Sequence, residues 1–242
     1  MCALPSTGQA KGKTGQVEAM FDAIASRYDL LNRVLSLGVD RSWRREAVNI
    51  LVDESPQRIL DVATGTGDLA LEALRLAPKQ VVGVDISEGM LALARAKAER
   101  MGASDRVVFR RGDAQRLPFS DRQFHAALVA FGVRNFEDLD RGLAEIRRVL
   151  RPGATLVVLE FSQPTVFPVK QAYALYSRTL LPGIGRLVSR HNGAYSYLPA
   201  SIAVFPYGNA FLERMKTAGY TDLTCRPLTF GIVSLYTGKV RA

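Results

Sequence analysis

ILDVATGTGDLALEALRLAPKQVVGVDIS, residues 59–87, is the stretch that decides the fold. An apolar run over 59–63 meets the glycine turn Gly65-Thr66-Gly67, and a helical pattern follows. A second apolar run over 81–84 then ends in Asp85, twenty residues after Gly65. This succession of strand, tight turn, helix and strand with a terminal acid is typical of sites for a nucleoside-containing cofactor.

Short apolar runs and helical stretches alternate on both sides of this unit. The patterns predict strands at 58–63, 80–85, 106–110, 124–130 and 154–161, and helices over 68–76, 88–101 and 138–150. Such alternation predicts a mostly parallel sheet covered by helices on both faces. A helix over 207–218 and two strands near 221–228 and 231–237, with a turn at Gly231, predict an antiparallel hairpin at the sheet edge.

The remaining segments divide the chain into one domain with additions. Residues 1–16 are rich in Gly and Lys and are expected to be a disordered arm, leaving 17–242 as a single domain. Helical spacing over 17–55 predicts a cap of N-terminal helices, and 165–206 reads as helices and loops inserted after the fifth strand.

Composition limits the class of protein. Of 242 residues, 48% are apolar and 23% charged, as in ordinary globular proteins. The chain has no apolar run of membrane-spanning length and no signal-peptide core, so we expect a cytoplasmic protein. Its two cysteines form no CxxC, which argues against a zinc site or a disulfide framework, and no metal is expected. The net charge of +9 fits an anionic membrane surface, nucleic acid, an acidic substrate or merely a basic surface.

The glycine turn admits two cofactors. Residues 65–70 match G-x-G-x-x-A, which also occurs in NAD-dependent dehydrogenases. However, Asp68 in the first helical turn would face a diphosphate, whereas it suits the ammonium and sulfonium of S-adenosylmethionine. Asp85 could accept hydrogen bonds from the ribose diol of either cofactor or cap the next helix, for which Ser87 is the better candidate. Asp113, followed by Ala114, could accept the adenine amine, or it could be a turn aspartate.

Several segments resemble one family of class I S-adenosylmethionine-dependent methyltransferases, the UbiE/MenG family of quinone-biosynthesis C-methyltransferases. The resemblance rests on YDLLNRVLS at 28–36 with Trp43, RVLRPGA at 148–154 leading to Glu160-Phe161, FGVRN at 131–135 and YSYLPASI at 195–202. It runs from about Phe21 to Lys239. The chain departs from the family pattern by carrying Leu31 for Met, Asp40 for His, Arg151 for Lys and Ala154 for Gly.

The resemblance implies a Rossmann-like α/β fold with a mostly parallel seven-stranded sheet and an antiparallel C-terminal strand. It also implies methyl transfer from S-adenosylmethionine to demethylmenaquinol, with the ubiquinone-pathway 2-methoxy-6-polyprenyl-1,4-benzoquinol as the alternative acceptor. The implied cofactor contacts, together with the glycines of the turn, are Thr66, Asp85, Asp113, Ala114, Gly65, Gly67 and Ala130. Ala130 replaces a family Ser, so only its backbone can take part.

The reaction requires a quinol hydroxyl to lose its proton near neutral pH, although phenols titrate near ~10. Arg134 could stabilise the phenolate and Asn135 could hold the second oxygen, because both follow the fourth strand. Arg134 could instead pair with a structural acid. Tyr28 and Asp29 lie on the cap helices, where core packing and helix capping are their alternative roles. His191 is a weaker candidate for the base, and His125, within a strand, is expected to be structural.

The insertion is the expected lid over the apolar acceptor, because it is rich in aromatic and aliphatic residues. A polyprenyl tail and the basic charge predict a quinol partner and peripheral contact with the inner face of the cell membrane. Nucleic acid is not expected, since the chain has neither the Asn/Asp-Pro-Pro-aromatic motif for amine methylation nor a Pro-Cys motif. A dehydrogenase, a nucleic-acid methyltransferase and a non-catalytic binding module are the competing classes.

Overall fold

The computed structural model describes residues 12–171 and 193–241 of the chain. Seven strands form one sheet in the order β3-β2-β1-β4-β5-β7-β6. Their bounds are Arg58–Val62 (β1), Gln80–Asp85 (β2), Val107–Arg111 (β3), Phe124–Ala130 (β4), Leu150–Phe161 (β5), Tyr220–Leu228 (β6) and Val233–Val240 (β7). Strands β1 to β5 are parallel, and β7 runs antiparallel to both β5 and β6. The predicted seven-stranded, mostly parallel sheet is confirmed.

Seven α-helices surround the sheet in the described part of the chain. They are Lys13–Leu35 (α1), Asp40–Asn49 (α2), Asp68–Ala73 (α3), Glu88–Arg100 (α4), Leu139–Val149 (α5), Gly193–Val204 (α6) and Asn209–Thr217 (α7). Short 3-10 turns occupy Leu74–Leu76, Val133–Asn135 and Thr229–Gly231. Within the described ranges, no helix combines the length and the apolar character needed to cross a bilayer.

The central strands are continuous apolar runs because helices cover both faces of the sheet. On one face, α5 and α7 bury Leu143, Ile146 and Phe211 against the sheet. On the other face, α2, α3 and α4 bury Trp43, Val48, Leu69 and Leu91. The sheet is thus packed between two apolar cores, one on each face. This packing positions the loops that follow the strands at the carboxyl edge.

Several element bounds differ from the predicted ones, and three of these differences have a local cause. The first helix begins at Lys13, inside the segment expected to be disordered, because Lys13 and Thr14 bond to the loop after β4. Strand β5 begins at Leu150, directly where α5 ends, since Leu150 pairs with Phe124 ahead of a bulge. The predicted helix over 68–76 finishes as the 3-10 turn Leu74–Leu76.

Parts of two predicted segments lie outside the described residues. These are 1–11 of the N-terminal arm and 172–192 of the insertion, which includes the candidate base His191. The division into arm, cap and lid therefore stays a prediction. His125 lies in β4, where its Nε2 is 2.9 Å from the Arg151 guanidinium.

Candidate active site

A cavity opens at the carboxyl edge of the sheet, where β1 lies between β2 and β4 and the strand order reverses. Ligands of open α/β sheets bind at such a point. The cavity is open to solvent, and the empty space within it and its mouth together is about 660 Å³. Its lining comes from α1, the loops after β1 to β4 and the start of α4, and includes Val17, Phe21, Tyr28, Ala63, Gly65, Asp85, Ile86, Met90, Asp113, Ala114, Ala130, Phe131 and Asn135.

The glycine turn after β1 forms one wall of this cavity. Gly67 has a φ of 82°, and a Cβ there would lie 2.8 Å from the Phe109 ring. Glycine therefore satisfies both the left-handed backbone and the close packing against β3. Opposite the turn, a Cβ at Gly132 would lie 2.6 Å from the Cβ of Ala63, so the loops after β1 and β4 touch beneath the cavity.

Asp85 presents a fixed carboxylate on the cavity wall. Its Oδ2 accepts the Gly65 N–H at 2.8 Å, and its Oδ1 accepts the Ser87 N–H at 2.9 Å. Burial raises the pKa of Asp85, and the N–H groups of Ser87 and Gly65 oppose that rise. Ser87 caps α4 by accepting the Met90 N–H at 3.1 Å, so Ser87 is the cap, as predicted. The remaining acceptor capacity of Asp85 suits a ligand diol.

Asp113 and Ala114 meet the cavity on its far side, after β3. The Asp113 Oδ1 accepts the Gln115 N–H at 2.9 Å, which closes a short turn within the loop. Asp113 is thus a turn aspartate and a cavity residue at once, so the two alternatives for it are compatible. Ala130, at the end of β4, also lines the cavity.

Asp61 lies beneath the glycine turn and is 1% exposed. Its Oδ2 accepts the Thr64 hydroxyl at 2.5 Å, while its Oδ1 has no hydrogen-bond partner within the described ranges. Burial raises the pKa of Asp61 to about 7, despite the opposing hydrogen bond from Thr64. Asp61 therefore titrates near neutrality in the folded protein.

The side chains of Thr66 and Asp29 bond to each other and to Lys97, and neither residue is among those that line the cavity. The Thr66 hydroxyl donates to Asp29 Oδ1 at 2.6 Å, and the Lys97 ammonium lies 2.6 Å from Asp29 Oδ2. Lys97 also donates to Thr66 Oγ1 at 2.9 Å. Because these groups satisfy one another, Asp29 joins α1 to α4 rather than facing the acceptor.

Asp68 forms ion pairs with two basic side chains of the neighbouring helices. Its Oδ1 is 2.5 Å from the Lys97 ammonium and its Oδ2 is 3.2 Å from the Arg44 guanidinium. Arg44 also pairs with the buried Asp40 at 2.6 Å. Asp40 is the residue that replaces the His of the family pattern. The acid in the turn thus joins α3 to α2 and α4, and its preference for a cofactor ammonium stays a prediction.

Arg134 forms a buried ion pair instead of lining the cavity. Its Nη1 is 2.7 Å from Glu160 Oε1 and also donates to the Phe131 carbonyl. The two side chains are 6% and 0% exposed, and the guanidinium carbon lies 5.4 Å from the Phe161 ring centroid. Burial raises the pKa of Glu160, and the Arg134 charge opposes it. The structure thus shows the alternative weighed for Arg134, a pair with a structural acid.

Asn135 and Tyr28 do line the cavity, as expected for acceptor-binding groups. The buried Tyr197 of α6 donates its hydroxyl to Asn135 Oδ1 at 3.1 Å. The Asn135 amide is thereby oriented with its nitrogen toward the Phe131 carbonyl, 3.4 Å away. Burial raises the pKa of Tyr28, so its phenol stays protonated near neutral pH.

Sequence reasoning missed Tyr197, Glu160 and Lys97 as functional residues. Tyr197 and Glu160 stand in segments that carry the family resemblance, which is a signal that could have found them. Lys97 is one of many basic residues on a helix, and nothing in its local sequence predicts contacts with Asp29, Thr66 and Asp68.

Helix α1 crosses the mouth of the cavity and is held by polar contacts along its length. At its start, the Lys13 ammonium donates to the Phe136 carbonyl at 2.6 Å and Thr14 Oγ1 donates to Glu137 at 2.7 Å. Further along, Glu18 pairs with Arg111 at 2.5 Å, and Asp22 accepts the Ser87 hydroxyl at 2.5 Å. Asp29 makes the last of these contacts, on the far side of the cavity. Helix α1 is thus one long helix, Lys13–Leu35, that lines the cavity with Val17, Phe21 and Tyr28.

The model of the ubiE/COQ5 methyltransferase family matches residues 9–240 of the chain. A demethylmenaquinone methyltransferase of Bacteroides fragilis is 51% identical over 226 residues, covering 93% of this chain and 92% of that protein. One from Deinococcus radiodurans is 48% identical and covers 98% of both chains. A ubiquinone/menaquinone biosynthesis C-methyltransferase UbiE of Geobacter sulfurreducens is 46% identical, covering 94% of this chain and 89% of that protein.

Solved structures share the fold at low sequence identity. The [4+2]-cyclase SpnF is 21% identical with a TM-score of 0.65, covering 98% of this chain and all of that one. An S-adenosylmethionine-dependent methyltransferase of Thermotoga maritima, described as a possible histamine N-methyltransferase, is 20% identical with a TM-score of 0.65. The match covers 92% of this chain and 98% of the Thermotoga maritima chain. These likenesses support the Rossmann-like architecture and nothing more specific.

Proposed function

The chain belongs to the ubiE/COQ5 methyltransferase family, and on that premise we propose that it methylates a ring carbon of demethylmenaquinol with S-adenosylmethionine as the methyl donor. One observation supports this choice of acceptor. Two relatives at 51% and 48% identity that span nearly the whole chain are both named demethylmenaquinone methyltransferase. Family membership also argues against a dehydrogenase, a nucleic-acid enzyme and a non-catalytic module.

The cavity fits the methyl donor in the groups that it offers. Asp85 presents a carboxylate, already oriented by two N–H groups, for the ribose hydroxyls. Asp113 and Ala114 line the cavity after β3. The Asp113 carboxylate can accept a hydrogen bond from the adenine amine, and the backbone N–H of Ala114 can donate one to a ring nitrogen. Gly65 and Ala130 line the cavity, and Ala63 and Gly132 approach each other closely beneath it. We propose that this arrangement leaves room for the rest of S-adenosylmethionine. Thr66 and Gly67 shape the turn and are proposed to act through its backbone.

S-adenosylmethionine supplies a methyl group on a cationic sulfur, and the quinol ring carbon takes that methyl group as the ring loses its proton. A phenolate makes this carbon more nucleophilic, and a nearby cation favours the phenolate because it stabilises the negative charge. Within the described ranges, Tyr28 is a poor base because burial raises its pKa. Tyr28 is therefore proposed as a hydrogen-bond donor to the acceptor.

Asn135 is proposed to hold one quinol oxygen, since its amide lines the cavity and Tyr197 fixes its orientation. Arg134 is proposed to act beside it as a positioning residue. Its buried pair with Glu160 keeps the 3-10 turn Val133–Asn135 against β5. Asp29 is proposed to hold α1 in place and not to touch the acceptor.

The ubiquinone-pathway benzoquinol is the second candidate acceptor. It is favoured by one observation, the Geobacter sulfurreducens relative whose name covers both pathways, at 46% identity. Both quinols present a ring hydroxyl next to the carbon that is methylated, so the groups described above would serve either.

The deciding experiment incubates the protein with methyl-labelled S-adenosylmethionine and each reduced acceptor, then locates the label by mass spectrometry and NMR. The proposal expects label on the ring carbon of demethylmenaquinol and the release of S-adenosylhomocysteine. Label on the benzoquinol alone would favour the second candidate. Label on neither quinol, in a protein that binds S-adenosylhomocysteine, would overturn both.

A further inference from the structure

Exposed apolar side chains collect around the turn Thr229–Gly231 at the carboxyl edge of the sheet. Phe230 is 77% exposed, Phe167 is 77% exposed and Leu37 is 89% exposed. Val166, beside Phe167, is 63% exposed. Isolated apolar residues on a surface are ordinary, but a cluster at one edge marks an interaction site. We call Leu37, Val166, Phe167 and Phe230 the apolar rim.

Hydrogen bonds bring together the segments that carry these four residues, which are far apart in sequence. The Trp43 indole donates to Thr229 Oγ1 at 2.7 Å, and the Trp43 N–H bonds to the Val39 carbonyl at 3.1 Å, two residues from Leu37. On the other side, Ser162 Oγ donates to the Gly231 carbonyl at 2.7 Å. The chain then continues from Ser162 to Val166 and Phe167. The turn Thr229–Gly231 is therefore the centre of the rim.

The backbone holds two of these side chains outward at a cost. Leu37 has a φ of 52° and Phe230 has a φ of 58°. The left-handed region strains a non-glycine residue, and neither side chain offsets that strain by packing into the core. Glycine would relieve the strain at both positions, and the exposed apolar side chains of Leu37 and Phe230 contribute nothing to the core in return.

The surface around the rim is positively charged. The segments 30–45, 163–171 and 226–232 hold Arg33, Arg41, Arg44, Arg45, Lys170 and Arg226 against a single acid, Asp40. Arg44 pairs with Asp40 and Arg226 pairs with Glu46. The other four cations are exposed and form no ion pair with any residue in the described ranges. Apolar tips surrounded by unpaired cations match an anionic lipid surface.

We propose that the apolar rim inserts into an anionic phospholipid bilayer while Arg33, Arg41, Arg45 and Lys170 contact the lipid headgroups. The inference rests on the proposed function, because a polyprenyl quinol lies in the membrane. Rim and cavity share the carboxyl edge of the sheet, and Trp43 links them through its contact with Phe131, whose ring centroid is 6.1 Å away. Docking by this edge brings the cavity to the bilayer surface and shortens the path of the quinol.

The test measures co-sedimentation of the full chain with vesicles of phosphatidylcholine containing about 30% phosphatidylglycerol. The wild type should bind these vesicles at low salt, bind pure phosphatidylcholine at least fivefold less, and detach as salt rises. The variant Leu37→Ser/Phe230→Ser should lose at least fivefold in binding, and so should Arg41→Gln/Arg45→Gln/Lys170→Gln. The matched control is Val52→Ser/Met101→Ser, which removes two exposed apolar side chains away from the rim and should bind as the wild type does.

Two results would overturn the inference. One is equal vesicle binding by the rim variant and its control. The other is a dimer in solution that the rim variant converts to a monomer, since the rim would then be an interface between copies of the chain. Methylation of a short-chain, water-soluble quinol should stay unchanged in the rim variant. If no quinol is methylated by any variant, the proposed function fails, whereas vesicle binding still reports on the rim separately.

Discussion

Arg134 and Glu160 form an ion pair, Nη1 to Oε1 at 2.7 Å, that is almost completely withdrawn from solvent at the wall of the cavity. Removing one member of such a pair leaves an uncompensated buried charge, which is strongly destabilising. The pair therefore affects both the stability of the fold and the geometry of Asn135, the next residue along the chain. Experiments on Arg134 must separate these two effects.

Arg134→Ala is expected to lower turnover at least tenfold with little change in S-adenosylhomocysteine affinity. It should also lower the free energy of unfolding by about 3–5 kcal/mol, because Glu160 loses its partner. Steady-state kinetics, calorimetric binding and urea unfolding of the same preparation measure the three quantities.

The double variant Arg134→Met/Glu160→Gln is the control for that experiment. It removes both charges while keeping most of the volume, so it should recover most of the lost stability but not the lost turnover. Recovery of turnover along with stability would mean that Arg134 acts only by supporting the fold.

Asp85→Asn is expected to weaken the binding of S-adenosylhomocysteine about 10- to 150-fold. A hydrogen bond to a charged group contributes about 1.5–3 kcal/mol, and a ribose diol loses such a partner when the carboxylate becomes an amide. Isothermal titration calorimetry gives the Kd directly. Asp105→Asn, an exposed acid before β3, is the matched control. An unchanged Kd for Asp85→Asn would remove Asp85 from the site.

Tyr197→Phe is expected to lower kcat about 3- to 10-fold, while cofactor affinity stays constant. This factor corresponds to the free energy that one neutral hydrogen bond contributes. The reason is that Asn135 loses the hydroxyl that orients its amide. In the variant Tyr197→Phe/Asn135→Ala, turnover should be no lower than in Asn135→Ala alone, because the hydroxyl acts through Asn135.

Tyr207→Phe provides the comparison for Tyr197→Phe, since its hydroxyl forms no hydrogen bond with the described residues. It should leave kcat as it is. Additive losses in the double variant would show that Tyr197 acts independently of Asn135.

Asp61 makes stability depend on pH in the direction opposite to most carboxylates. Its folded pKa of about 7 exceeds the ordinary 3.8, so the folded protein binds the proton more tightly than the unfolded chain. Stability should therefore fall as pH rises from about 4 to about 7 and then level off. At 1.36 kcal/mol per pKa unit, the contribution of Asp61 is at most about 4 kcal/mol.

Urea unfolding of Asp61→Asn and of the wild type at about pH 5 and about pH 8 tests this dependence. The variant cannot ionise at this position, so its free energy of unfolding should change less between the two pH values. An identical pH dependence of the two proteins would assign the titration to other groups.

The fold could be predicted from the sequence because local patterns determine it. The period of the apolar residues, the turn Gly65–Gly67 and the cap Ser87 each act within a few residues of their own position. Asp85 and Asp113 were predictable for the same reason, since the ends of neighbouring parallel strands meet at one edge.

Side-chain partners could not be predicted, because they depend on contacts between distant segments. Thr66 and Asp29 were expected at the cofactor and the acceptor, but Lys97, 31 residues beyond Thr66, draws both away. Arg134 was expected to face the acceptor, but Glu160 provides a carboxylate at zero exposure. In each case the partner is a charged side chain that lies far away in the sequence, and only the packed structure shows which one it is.

Helix α1 has a consequence for the rate at which product leaves the cavity. It crosses the cavity mouth and is tied down by Lys13, Thr14, Glu18, Asp22 and Asp29, mostly through charged groups. We expect a nucleoside product bound beside α1 to leave faster when these contacts open. Ions in solution weaken such ties, so we expect the residence time of S-adenosylhomocysteine to shorten as ionic strength rises. Where release limits turnover, kcat should rise with ionic strength in the same way, so salt would set the pace of the reaction through α1.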